Sequence, residues 1–136
     1  MDRQAIIDNL LEHYEQPRNY GALADADIVL PGGIPDCGDR VTIYLKVAAG
    51  SEQIGELRFE GQGCTISMAS ASMLTELLQG ASLAQAASFD EQALIDLLGR
   101  EVVQSRPRCA TLALGTLKAA IRAYQLELRS RAADGL

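Results

Sequence analysis

The chain has 136 residues, three cysteines, no tryptophan and a formal net charge of −6. This length suits one globular domain spanning residues 1–136, because folding of a chain of this size buries about two thirds of the surface that the unfolded chain exposes. An acidic chain without a basic stripe lacks the electrostatic footprint of a nucleic-acid-binding protein. No apolar run reaches the ~18 residues of a membrane span, and no signal-peptide pattern follows Met1. We therefore expect a cytoplasmic protein whose partners are metal cations or other proteins.

The first half of the chain predicts one helix followed by strands. Apolar residues recur at helical spacing from a candidate N-cap at Asp2 and stop before Pro17, so the helix should end near Gln16. Residues 18–38 are rich in glycine and proline and predict a loop, apart from a short apolar run that could form an edge strand. Strict alternation then predicts two strands that pair as a hairpin. The apolar run covers residues 28–30, and the two strands cover residues 41–47 and 54–60.

The second half of the chain predicts helices. A helix over residues 65–79 should end at Gly80, and the small side chains of its first half suit close helix packing. Two capping-box patterns predict short helices, the second ending at Gly99; they pair Ser82 with Gln85 and Ser88 with Glu91. An apolar stripe over residues 112–128 predicts a long last helix, with fraying after residue 130. Strands grouped before helices predict an α+β fold, a small antiparallel sheet with helices packed on one face.

The three cysteines lie in settings that suit one shared site. An odd number of thiols argues against a disulfide framework. Cys64 and Cys109 lie at predicted helix starts, where the helix dipole favours a thiolate. Arg106 and Arg108 add positive charge beside Cys109. Cys64 and Cys109 are therefore expected to ionise more easily than an ordinary thiol.

Asp39 follows Cys37 in a glycine-containing loop and could add one oxygen ligand. Three sulfurs and one oxygen suit tetrahedral zinc, and thiolates also suit iron–sulfur clusters. The alternative is three inert core thiols, because cysteine is among the most buried residue types and the spacing matches no zinc-finger pattern. His13, the single histidine, is expected to be a partly exposed helix residue rather than a catalytic base. Asp36 is expected to cap a turn.

Four runs of the sequence carry a family resemblance. They are residues 13–19 followed by Gly21, residues 37–39, residues 61–72, and Cys109 at the start of the last helix. Together they resemble the U-type iron–sulfur cluster assembly scaffolds, the family of IscU, SufU and the N-terminal part of NifU, over nearly the whole chain. The resemblance implies that four residues converge at one exposed end of an α+β fold and hold Zn²⁺, Fe²⁺ or a nascent [2Fe-2S] cluster. These are Cys37, Asp39, Cys64 and Cys109.

Within the family, residues 64–72 and 109–112 look most like the SufU branch. Two features depart from the branch patterns. The insertion that SufU proteins usually carry between the second and third cysteines is absent, as in IscU, whereas the histidine that IscU proteins usually carry before the third cysteine is replaced by Arg108. The proline-rich chaperone-recognition segment of IscU is also not evident in residues 101–107.

The resemblance implies a scaffold that accepts persulfide sulfur from a cysteine desulfurase and delivers a transient cluster to apo iron–sulfur proteins or carriers. Cys37 is the expected sulfur acceptor, Cys109 is its rival, and Arg106 occupies the place of a basic residue common in the family. One alternative is a zinc-dependent sulfurtransferase that activates its desulfurase without building a cluster. Another is a structural zinc domain for protein interaction, against which the carboxylate of Asp39 counts because structural sites usually lack one.

Overall fold

The computed structural model describes residues 2–35 and 38–134, without the side chain of residue 134. It contains a three-stranded antiparallel sheet and six helices within these residues, which confirms the predicted α+β fold. In chain order the elements are α1 (Arg3–Glu15), β1 (Ile28–Gly33), β2 (Arg40–Val47), β3 (Ile54–Gln62), α2 (Thr65–Leu78), α3 (Leu83–Ala87), α4 (Glu91–Leu98), α5 (Arg100–Val103) and α6 (Pro107–Asp134).

The sheet has the strand order β1-β2-β3, so β2 is central. Alternate residues of β2 are buried, as the period of two predicts, and Ile43 faces Phe59 of β3 across the ladder. β1 is longer than the predicted run and includes Pro31, which an edge strand tolerates because one side of it needs no ladder hydrogen bond. The buried face of β2 and β3 packs against the helices and forms the core with them.

Local capping sets the helix ends. The side chain of Asp2 accepts a hydrogen bond from the backbone N–H of Ala5 at 2.7 Å, as expected for the N-cap of α1. The capping box of Ser82 with Gln85 is present at the start of α3. The second predicted box is wrong, because Asp90, rather than Ser88, caps α4 through its side chain.

α2 and α6 are the helices that cover the sheet. α6 contacts β1 and β2, α2 contacts β3 and α6, and α1 packs on α2. The sequence predicts that the helix frays after residue 130. Instead α6 remains helical to Asp134. Within residues 2–35 and 38–134, no helix is both long and apolar enough to cross a bilayer.

Candidate metal and sulfur site

The sheet brings three of the predicted ligands to one end of the molecule. Asp39 directly precedes β2, Cys64 follows the end of β3, and Arg40 pairs with Gln62 between them. Cys109 reaches the same end from the first turn of α6. The ligand atoms of Asp39, Cys64 and Cys109 all lie within 4.8 Å of one another. Three residues separated by up to 70 positions therefore form one cluster.

Asp39 accepts hydrogen bonds on both of its carboxylate oxygens. Oδ2 accepts from the Ser67 hydroxyl at 2.6 Å and from the Cys109 thiol at 3.3 Å, and Oδ1 accepts from the backbone N–H of Cys64 at 3.3 Å. The hydrogen bond from Ser67 is the main cause that lowers the pKa of Asp39 below its ordinary value, although burial opposes it. The carboxylate of Asp39 is therefore ionised at neutral pH, even though the residue is buried, and it can act as an oxygen ligand.

Cys64 is the N-cap of α2, and its Sγ accepts a hydrogen bond from the backbone N–H of Ser67 at 3.5 Å. The Ser67 hydroxyl lies 3.6 Å from the same sulfur. Gly63 makes room for the carboxylate, because a Cβ at that position would lie 2.8 Å from Cγ of Asp39. The absence of a side chain at Gly63 thus allows the Asp39 carboxylate to lie close to the backbone before Cys64.

Cys109 does not show the expected easy ionisation. Its side chain is buried, and burial is the main cause that raises the pKa of its thiol to about 11. Ser67, Cys64 and Asp39 are the other groups that act on this pKa, and neither Arg106 nor Arg108 is among them. The prediction was wrong for Cys109 because desolvation of the thiolate outweighs the position at a helix start.

The remaining predicted residues have different outcomes. Cys37 and Asp36 lie outside the residues that the structure describes. Of the residues on either side of them, Ile34 donates its backbone N–H to the carbonyl of Asp39 at 3.0 Å. Arg106 precedes α6 and is exposed.

His13 is not the partly exposed residue that the helical pattern predicts. It is only 5% exposed, and its Nδ1 lies 2.7 Å from the hydroxyl of Ser72 in α2. His13 and Ser72 form a polar contact between two packed helices. The contact gives His13 a place in the packing of α1 on α2.

The donor set fits a thiophilic cation. In tetrahedral zinc sites with Zn–S bonds of about 2.3 Å, neighbouring sulfurs lie about 3.8 Å apart. The ligand atoms of Asp39, Cys64 and Cys109, which lie within 4.8 Å of one another, are close to that spacing. Cys64 and Cys109 would supply thiolates and Asp39 an oxygen, and each thiol would release its proton on binding.

Ser67 is the site residue that the sequence did not single out. The small side chains in the first half of α2 predict close helix packing, and Ser67 does not stand out among them. The available signal was its position three residues after Cys64, which is where an N-cap side chain meets the first helical turn. Ser67 therefore contacts both Asp39 and Cys64.

Comparison with known proteins identifies the family of the chain. Residues 5–130 match the family model described as the NifU-like N terminal domain. The iron-sulfur cluster assembly scaffold protein IscU 1 of Archaeoglobus fulgidus is 35% identical over 117 residues, covering 86% of this chain and 74% of the relative. The zinc-dependent sulfurtransferase SufU of Bacillus subtilis is 36% identical over 135 residues, covering 85% and 86%. Overall identity therefore does not separate the two branches.

Solved structures share the fold. FiSufU from Fervidobacterium islandicum superposes with a TM-score of 0.69 at 26% identity, covering 88% of this chain and 99% of that chain. The N-terminal part of a NifU-like protein from Brucella abortus gives a TM-score of 0.70 at 21% identity, covering 88% and 97%. The second likeness shows the fold alone.

Proposed function

Because this chain belongs to the NifU-like N-terminal domain family of U-type iron–sulfur cluster assembly scaffolds, we propose that it builds a transient [2Fe-2S] cluster and delivers it to apoproteins. The observation that carries the proposal is the convergence of Asp39, Cys64 and Cys109 at the end of the sheet. Two thiols and a carboxylate suit a cluster that must be bound and then released, since a carboxylate oxygen is a poorer ligand for a thiophilic metal than a thiolate is.

Cys37 is the proposed fourth ligand. Only Gly38 separates it from Asp39 in the sequence, so covalent geometry keeps the two Cα atoms within about 7 Å of each other. This reach supports a site formed by Cys37, Asp39, Cys64 and Cys109. The cluster is cargo in this proposal, whereas Zn²⁺ or Fe²⁺ would occupy the same ligands before assembly.

Cys37 is also the proposed first acceptor of sulfur from a cysteine desulfurase. Its thiolate attacks the outer sulfur of the persulfide on the desulfurase, the S–S bond breaks, and the desulfurase cysteine leaves as a thiolate. The rival acceptor, Cys109, is 5% exposed and already donates its S–H to Asp39, which leaves it poorly accessible to another protein. Arg106 is exposed before α6, which supports a role in attracting an anionic group.

Conversion of the transferred sulfur into cluster sulfide requires reduction. Each sulfane sulfur takes up two electrons, which must come from an external thiol or low-potential electron donor. The side chains of the site hold the sulfur and iron, and the donor supplies the electrons. The proposed partners are therefore a cysteine desulfurase, an electron donor, and apo iron–sulfur proteins or carriers.

A zinc-dependent sulfurtransferase is the second candidate function. The likeness to SufU, at 36% identity, favours it, and the same four ligands would hold a single Zn²⁺. In that case the protein would accept sulfur and speed its desulfurase without assembling a cluster. A structural zinc domain is less well supported, because the Asp39 carboxylate lies within the candidate ligand set.

Anaerobic reconstitution distinguishes these functions. The protein is incubated with a catalytic amount of cysteine desulfurase, cysteine, a thiol reductant and Fe²⁺, and visible absorption and Mössbauer spectra are recorded. The proposal predicts a [2Fe-2S] cluster bound to this chain. Faster desulfurase turnover with a protein persulfide and no cluster would replace it by the sulfurtransferase, and neither result would leave the structural zinc domain.

A further inference from the structure

We propose that Ser67 is a positioning residue that fixes the Asp39 carboxylate toward the thiols of Cys64 and Cys109 and so sets the affinity of the site for a thiophilic divalent cation. The inference rests on the proposed function, because it assumes that these three side chains act as ligands. Ser67 itself need not bind the cation. Its role is to decide where the oxygen ligand lies.

The contacts of Ser67 single it out within α2. Its side chain is 2% exposed, its hydroxyl donates to Oδ2 of Asp39 at 2.6 Å, and it lies 3.6 Å from Sγ of Cys64. A hydroxyl has one proton to donate. The distances assign that proton to the carboxylate, and the hydroxyl oxygen remains able to accept from the Cys64 thiol.

Two other donors also reach the Asp39 carboxylate. Oδ2 accepts the Cys109 S–H at 3.3 Å, and Oδ1 accepts the backbone N–H of Cys64 at 3.3 Å. The hydrogen bond from the Ser67 hydroxyl, at 2.6 Å, is the shortest of the three, and Ser67 is not itself a candidate ligand. Ser67 is therefore the contact best placed to fix the carboxylate.

The other buried serines of α2 have a different role. The hydroxyl of Ser70 donates to the carbonyl of Ala110 at 2.6 Å, and that of Ser72 contacts His13 at 2.7 Å. Neither hydroxyl makes a hydrogen bond to Asp39, Cys64 or Cys109 within the described part of the chain. Ser72→Ala consequently removes a buried hydroxyl from the same helix without touching the ligands, and it is the matched control for Ser67→Ala.

Co²⁺ is a suitable probe because thiolate coordination to it gives near-ultraviolet charge-transfer bands, and Zn²⁺ affinity follows by competition. The metal-free full chain is titrated anaerobically in six forms, each checked for folding by circular dichroism. These are the wild type, Ser67→Ala, Ser67→Thr, Asp39→Ala, the Ser67→Ala/Asp39→Ala double variant and Ser72→Ala.

Loss of a hydrogen-bond partner behind a metal ligand typically costs about 10- to 100-fold in affinity. We expect a loss of this size for Ser67→Ala, near-normal affinity for Ser72→Ala, and recovery in Ser67→Thr, which keeps the hydroxyl. In the Asp39→Ala background, Ser67→Ala should cause no further loss, because Ser67 acts through that carboxylate. This non-additivity separates positioning from a general effect on stability.

The results that would overturn the inference are of two distinguishable kinds. Wild-type affinity in Ser67→Ala, or an equal further loss on adding Ser67→Ala to Asp39→Ala, would remove the role of Ser67 and leave the proposed function intact. Absence of thiolate-to-cobalt bands in the folded wild type would remove both the inference and the metal site. If Ser67→Ala is unfolded, the test rests on Ser67→Thr, which keeps the hydroxyl. The inference requires a folded Ser67→Thr to keep its affinity for the cation, and a loss of that affinity would overturn it.

Discussion

The hydroxyl of Ser72 in α2 lies 2.7 Å from Nδ1 of His13 in α1, and it also accepts the backbone N–H of Arg18 at 2.9 Å. With one acceptor position filled by Arg18, the Ser72 hydroxyl can donate its proton to Nδ1 of a neutral imidazole. These bonds join α1 and the segment after it to the helix that Cys64 caps. The run of residues 13–19 is thus tied to α2 through Ser72.

The burial of His13 predicts a loss of stability on mild acidification. Burial first, and the charge of Arg18 second, lower the pKa of His13 below its ordinary value of 6.5. The unfolded chain therefore binds the proton more readily than the folded chain does. The stability linked to this group is fully present above pH 6.5 and is lost as the pH falls through the lower pKa of the folded state.

Urea unfolding at a series of pH values from 5 to 8 tests this effect. The free energy of unfolding of the wild type should fall toward the acid end more steeply than that of His13→Gln, whose side chain does not titrate. Both proteins share the other titrating groups, so their difference isolates the histidine. Parallel pH profiles for the two proteins would contradict the assignment.

One glycine of β1 and one of α6 predict opposite effects of alanine. A Cβ at Gly32 would overlap the hydroxyl of Thr116, whereas a Cβ at Gly115 would meet no atom within 4 Å. Gly32→Ala should lower the free energy of unfolding by about 1–3 kcal/mol through overpacking. Gly115→Ala should raise it by up to about 1 kcal/mol, because alanine favours a helix.

Chemical denaturation of the two variants provides the measurement. Thr116→Ala in the Gly32→Ala background should restore part of the lost stability, because it removes the overlapping hydroxyl. If Gly32→Ala is as stable as the wild type, α6 does not lie as close to β1 as described.

Sulfur acceptance should depend on Cys37 more than on Cys109. We expect Cys37→Ala to abolish transfer from the persulfide-loaded desulfurase, because the proposed nucleophile is gone. Cys109→Ala should retain the first transfer, since its thiol is buried beside Asp39. Intact-protein mass spectrometry detects the added sulfur atom. Full transfer to Cys37→Ala would reject Cys37 as the acceptor and leave Cys109 as its rival.

Alkylation should distinguish the two described thiols. In the metal-free protein at pH 7, iodoacetamide should modify half-buried Cys64 faster than buried Cys109. The rate at Cys109 should rise as the pH approaches its pKa of about 11, because the thiolate is the reactive form. Peptide mapping reports both rates in one sample. Rapid modification of Cys109 at pH 7 would contradict its burial and raised pKa.

The sequence predicts the regular elements well where one period dominates. Alternation in β2 reflects which residues face the core, and the structure agrees with it. Helical spacing predicts the helix α1 itself but not its buried face, since Leu11 and Tyr14 are exposed and His13 is buried. The extent of β1 was missed because Pro31 and the glycines after it read as loop, although an edge strand next to α6 accommodates them. The propensities of the β1 residues do not indicate the contact between Gly32 and Thr116 of α6, because Thr116 is far away in the sequence.

The sequence likewise predicts some features of the candidate site and not others. Asp39, Cys64 and Cys109 could be nominated from residue type and setting, and the structure brings their ligand atoms together. The raised pKa of Cys109 and the hydrogen bond from Ser67 to Asp39 could not be predicted. Both depend on burial and on contacts between segments that are distant in the chain.

Transfer of a preassembled cluster tests the central claim most directly. The reconstituted protein is freed of unbound iron and sulfide and mixed with an apo [2Fe-2S] ferredoxin in the presence of an iron chelator, while circular dichroism follows the cluster in the acceptor. The account predicts that the acceptor gains its cluster at a rate that the chelator does not change, because the cluster passes directly between proteins. Loss of the iron to the chelator with no cluster on the acceptor would contradict the account.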